Sequence, residues 1–176
     1  MGRPYQPSLL RLLHGAMALL MPLAWLSGLI VYSRYDGRWG RLIWQPDGNW
    51  IDIHGSIGAL LWPLALLFSL YALSLGRARL NQPANATALG ALALAVGSGK
   101  LMQEDWLRQG ELQHLAYHLH LLAWLLIALA LLWHLVGVLR RGGPALAMSM
   151  FQISVHRRDQ PKHWPEQLYR WFRRSN

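Results

Sequence analysis

The sequence predicts an all-α integral membrane protein: a four-transmembrane-helix bundle with a short C-terminal interfacial helix. Three observations carry that expectation. Charge is scarce, 14% of 176 residues against 53% apolar, where soluble domains hold nearer a quarter charged. The charge is missing from four long blocks rather than thinned evenly, which is a membrane signature. Lys and Arg are also distributed unequally between the segments that join those blocks.

The blocks run between charged residues. Twenty-two residues separate Arg11 from Arg34, 24 separate Asp52 from Arg77, 20 separate Arg79 from Lys100, and 28 separate Glu111 from Arg140. A span needs about 20 residues at about 1.5 Å rise each. The third block is the shortest and opens on the helix-unfriendly Asn81, Gln82 and Pro83. The first is read as a helix and not a cleaved signal: it is long for a signal core, carries His14 and shows no small-x-small cleavage site. The loop over 34–52 carries Trp39, Trp44 and Trp50, three of ten tryptophans, and is expected on the membrane surface. After Arg140 comes Gly142-Gly143-Pro144, read as a turn. Trp164, Leu168, Trp171 and Phe172 then recur at helical spacing among basic residues, the pattern of an interfacial helix in contact with lipid. The expected division is a membrane domain over 1–141 and a basic amphipathic tail over 142–176. No repeat stands out along the chain.

Four spans put both termini on one side. That side collects twelve basic residues against Asp159 and Glu166, and the other five against six acidic ones, counting Arg3 and Glu104. The excess of Lys and Arg predicts that the termini are cytoplasmic. The net charge of +9 is thus read as a topology signal, and no nucleic-acid partner is expected.

Cysteine is absent, which excludes disulfides, iron–sulfur ligation, thiol catalysis and thioether attachment of haem. Histidine is the metal ligand that remains. Six of eight histidines, His14, His54, His114, His118, His120 and His134, fall in or beside the spans, where an ionisable group is costly. His120 and His134 are fourteen residues apart, which returns a helix to within roughly 40° of one face over a rise of about 21 Å. Neither His118 nor His114 shares the face of His134. His14 lies near the inner start of the first helix and His134 near the inner end of the fourth. His54 lies at the outer start of the second, and His120 in the outer half of the fourth. The expected pairs are therefore His14 with His134 and His54 with His120. Two imidazoles on one iron fill both axial positions of a haem and suit it to electron transfer, whereas zinc would want four ligands at one site. Gly15, Gly28, Gly58 and Gly137 are small enough to admit a porphyrin beside a helix.

His14 with Ser27-Gly28-Leu29 later in the same helix, His54 with Gly58, and the His120/His134 spacing together resemble the bacterial cytochrome b-561 superfamily. Within it, the chain is similar to the cytochrome b subunits of membrane-bound formate dehydrogenase and nickel–iron hydrogenase. Lys162-His163-Trp164-Pro165 through Tyr169 also looks like the cytoplasmic end of the formate dehydrogenase type. The resemblance covers all four helices and implies two non-covalent b-type haems on the same histidine pairs. It implies electron transfer between a donor at the outer, periplasmic face of the bacterial inner membrane and a quinone. The chain would then be a subunit of a respiratory dehydrogenase, with an outer redox subunit or a second copy as partners left open. The alternative is a stand-alone superoxide:quinone oxidoreductase drawing its anion to Arg34, Arg38, Arg41, Lys100 and Arg108. Members of that kind carry basic residues along the second helix, and 68–72 has none here. A haem-free anchor is a third reading. No catalytic residue is assigned, and Arg77, Arg140 and His156 are the candidates near a quinone.

Overall fold

In the computed structural model the described residues are 4–102, 105–106 and 108–175. Arg3 and Glu104, counted above, and the side chains of Arg170, Phe172 and Arg174 lie outside them. Among the described residues the chain is helical with no strand. The helices are α1 (Ser8–Tyr35), α2 (Trp50–Leu73), α3 (Pro83–Leu101), α4 (Leu115–Ser149) and α5 (Trp164–Ser175), with short 3-10 turns between. Three of them, α1, α2 and α4, are long and apolar enough to cross a membrane. Their many exposed leucines would be expensive in water and suit hydrocarbon.

The 19 residues of α3 are diluted by small and polar side chains, including Asn85, Thr87, Gly97 and Ser98. Pro83 does not break α3 but begins it, at the first-turn position where proline's missing N–H costs nothing. Small residues let backbones approach closely, and α3 lies along α4 as α1 lies along α2. Between these hairpins, α2 meets α3. Met17, Leu61, Ala65 and Leu92 from α1, α2 and α3 form one buried cluster.

α1 and α4 are joined by a pair of tryptophans. Trp25 and Trp124 stack with ring centroids 4.4 Å apart and 12° between planes. Each indole N–H donates to the other residue's backbone carbonyl at 3.1 Å. Both polar handles are thereby satisfied without water, and the stack adds to the burial of the rings.

α4 outlasts the turn expected at 142–144. Gly143 takes a left-handed φ of 59°, which glycine alone adopts without penalty, and Pro144 then restarts a helical segment to Ser149. The tail that follows folds back onto the start of α1. Pro7 offers α1 no side-chain cap, and Asp159 serves instead: its Oδ2 accepts from the Ser8 N–H at 2.5 Å. An acceptor with negative charge is what the first turn of a helix wants. Tyr5 donates to the same carboxylate, the Trp164 indole donates to Ser8 Oγ, and the buried Arg11 donates to the carbonyls of Gln152 and Ser154. Burial alone would raise the Asp159 pKa, but the hydrogen bonds from Tyr5 and Ser8 outweigh it and hold it below the ordinary carboxylate range.

Candidate functional site

The structure brings four of the histidines together in two pairs at opposite ends of the helices. Near the end that carries the termini, His14 of α1 faces His134 of α4 with ring centroids 6.3 Å apart. Near the far end, His54 of α2 faces His120 of α4 at 6.0 Å. All four side chains are half-buried. Metal–imidazole bonds of about 2.0 Å and rings of about 1.1 Å radius put two imidazoles on opposite sides of one metal about 6.2 Å apart, centroid to centroid. Both pairs stand at that spacing. Neither pair donates to itself, so no direct hydrogen bond accounts for it.

Three of the four rings are held through Nδ1. His134 Nδ1 lies 2.8 Å from Asn85 Oδ1. The Asn85 amide nitrogen donates to the Arg79 carbonyl, so its oxygen is the end that faces His134 and accepts. His120 Nδ1 lies 3.1 Å from the Ala95 carbonyl and 3.1 Å from Ser98 Oγ. His54 Nδ1 lies 2.9 Å from Ser27 Oγ. A carbonyl can only accept, so the His120 proton sits on Nδ1, leaving Nε2 a lone pair for a metal. Among the described residues His14 has ring neighbours only, Phe68 at 6.5 Å and His134 at 6.3 Å.

The far pair opens on a cavity of about 520 Å³ lined by His54, His120, Gly28, Gly58, Gly99 and Tyr117 among others. This is the size of pocket that takes a small organic cofactor. Two glycines let helices close on the rings. A Cβ on Gly28 would stand 3.1 Å from His54 Cε1, and one on Gly99 would stand 3.2 Å from His120 Cε1. Of the other glycines singled out above, Gly15 faces open space, Gly58 lines the cavity and Gly137 lies beside the Arg141 side chain.

The remaining histidines have other company. His118 meets His114 O and the Arg38 guanidinium, His114 packs against Trp106 with 50° between the ring planes, and His156 stacks on Tyr5 at 3.7 Å in the clamp that closes on α1. His156 is thus placed by the clamp, while Arg77 and Arg140 are exposed; the structure does not gather these three. At the far end, Asp36 accepts from Tyr117 at 2.8 Å and from Arg38 at 2.8 Å. Burial would raise its pKa, and those two donors hold it low instead. Arg108 pairs with Asp52 and Asp105.

Sequence reading missed Ser27 as a partner of His54, Ser98 and Gly99 as partners of His120, and Asn85 as the partner of His134. A signal for them was present. Leu23-Ala24-Trp25-Leu26-Ser27-Gly28 on α1 returns as Leu94-Ala95-Val96-Gly97-Ser98-Gly99 on α3, 71 residues on, so the chain does contain a short repeat. In that register Asn85 takes the place of His14.

The donor set fits a bis-imidazole haem: two pairs of imidazoles at the spacing of ligands on one metal, three of the four engaged through Nδ1, and, at the His54–His120 pair, a cavity and two glycines against the rings. Among the described residues no group of three or more His, Cys, Asp or Glu gathers as a metal cluster, so a closed zinc site lacks donors. Searched against protein-family models, curated proteins and solved structures, the chain matches none.

Proposed function

We propose that the chain is a dihaem b-type membrane cytochrome, with one haem held by His14 and His134 and another by His54 and His120. Four helices span the bacterial inner membrane in this reading, α3 being the fourth, with both termini and α5 on the cytoplasmic side where Lys and Arg are in excess. The single observation that carries it is the spacing of two separate imidazole pairs, 6.3 and 6.0 Å, each matching two ligands on one metal. Bound there, the haems would supply reversible one-electron chemistry near each face, suited to moving electrons between a donor at the outer face and a quinone.

The chain's own residues do the holding. Ser27, Ser98, Ala95 and Asn85 orient three imidazoles, and each haem would be held by the two histidines of one pair, which would suit it to passing electrons rather than to binding a substrate. A superoxide-oxidising enzyme is less well supported, because Arg38 and Arg108, two of the cations it would use, are already paired with Asp36, Asp52 and Asp105. Transfer for a partner subunit is the reading preferred.

Protein purified in detergent should carry two b-type haems per chain by iron and pyridine haemochrome analysis. Acid acetone should extract all of it, since no cysteine can tether it. One haem or none, or haem that resists extraction, would sink the reading.

A further inference from the structure

We propose that Ser27, and Ser98 together with the Ala95 carbonyl, position the His54–His120 pair, holding each imidazole in the Nδ1–H tautomer with Nε2 turned to a shared metal. The inference rests on the haem reading above only for its metal; the tautomer follows from the chain alone.

Where the hydroxyl protons go decides the matter. Ser27 donates its proton to the Ala24 carbonyl at 3.1 Å. Ser98 donates to the Leu94 carbonyl at 2.6 Å. A serine hydroxyl has one proton, so both oxygens are left as acceptors toward the imidazoles. With the hydroxyl protons on those carbonyls, His54 Nδ1 at 2.9 Å is a donor, and so is His120 Nδ1 at 3.1 Å, which also faces the Ala95 carbonyl. Both serines are buried, 3% exposed, so water does not compete for these bonds. In each case the next residue is the glycine that touches the same ring. The Leu-Ala-x-x-Ser-Gly unit thus does three things to one histidine. Its serine accepts from Nδ1, its glycine admits the ring, and its helical turn supplies the carbonyl that consumes the hydroxyl proton. It occurs once on α1 and once on α3, so the two ligands of one metal are prepared alike from opposite sides. Nothing of the kind serves the His14–His134 pair, where Asn85 holds one ring.

An acceptor on Nδ1–H makes the imidazole a more electron-rich ligand, and loss of such a partner typically costs tenfold to a hundredfold in metal affinity. Two measurements test the proposal. The first uses ¹⁵N-histidine NMR of the haem-free protein in detergent micelles. His54 and His120 should carry the proton on Nδ1; Ser27→Ala should release His54 toward a tautomer mixture, whereas Ser98→Ala should shift the His120 Nδ1 signal and leave its proton in place, because the Ala95 carbonyl still accepts it. A wild-type protein with the proton on Nε2 of either ring overturns the assignment. The second uses the Ser27→Ala/Ser98→Ala double variant loaded with haem. The His54–His120 haem should bind at least tenfold more weakly and its midpoint potential should rise, with the His14–His134 haem unmoved. No change, or an equal change at both haems, overturns it. If the wild-type chain binds no haem, the function proposed above fails while the NMR measurement still decides the tautomer.

Discussion

Adding one methyl group at Gly28 or Gly99 should weaken a cofactor while strengthening a helix. The Cβ atoms would stand 3.1 Å from His54 Cε1 and 3.2 Å from His120 Cε1, where ordinary contacts begin at 3.4 Å. Each ring must therefore retreat by roughly 0.2–0.3 Å, about the tolerance of a metal–ligand bond. Neither glycine has a positive φ, so alanine is free of backbone strain there. Alanine in a helix interior is favoured over glycine by about 0.5–1 kcal/mol. Gly28→Ala and Gly99→Ala should thus raise the thermal unfolding temperature of the haem-free protein and lower the affinity of the His54–His120 haem by roughly tenfold, the scale of other ligand-orienting losses. Gly15→Ala is the control: it neighbours His14, but its Cβ meets nothing within 4 Å. It should leave the His54–His120 haem in place, whatever it does to the other. Haem titration of the haem-free variants, read by difference spectra, gives the affinities. The reasoning is refuted if Gly28→Ala and Gly99→Ala bind two haems with wild-type affinity, or if Gly15→Ala loses the His54–His120 haem.

His120→Ala should lose the haem near the outer face alone and His134→Ala the other alone, whereas His118→Ala should keep both, by haem stoichiometry. Loss of a haem in His118→Ala with both kept in His120→Ala would reverse the facing of α4. The Asp159 clamp should be pH-dependent. Its folded pKa lies below the ordinary carboxylate value of 3.8, so its contribution is complete above that value and fades as the pH falls through the lower, folded one. Hydrogen exchange over 157–175 should be faster in Asp159→Ala than in wild type at pH 7, and the difference should vanish as the acid limit is approached. A difference that persists unchanged in acid would mean that the carboxylate is not what holds the tail.

The long elements were legible because burial in hydrocarbon is written in every residue of a span: charge-free blocks bracket α1, α2 and α4. The juxtaposition of His14 with His134 and of His54 with His120 could be worked out from depth and helical phase, since those depend on residue number alone. Three things escaped. Ser27, Ser98 and Asn85 act through one short hydrogen bond each, and a single Ser or Asn in an apolar helix carries no periodic signal. The Leu-Ala-x-x-Ser-Gly unit is six residues long and sits on helices that otherwise differ, so it reads as composition until the helices are side by side. Trp25 and Trp124 lie within charge-free blocks with nothing in the sequence to pair them, yet their indoles are satisfied by each other's backbone. Gly143 was read as the end of α4 because Gly-Gly-Pro is a strong breaker; the glycine does bend the chain, and proline, harmless in a first turn, begins another helical stretch.

The cap on α1 comes from a residue 151 positions further along the chain. When the first helix emerges from the ribosome its opening N–H groups have only water or lipid headgroups to turn to, and the carboxylate that will satisfy Ser8 has not yet been made. α2, α3 and α4 can finish their packing earlier, each as its neighbour arrives. The order of synthesis therefore differs from the order of completion: of these four helices the first made is the last to be closed, and it is closed by a contact of very long loop length, the kind that forms late. Until then the turn bearing Arg11, one turn below His14, is free to fray, and the His14 end of the molecule ripens after the His54 end.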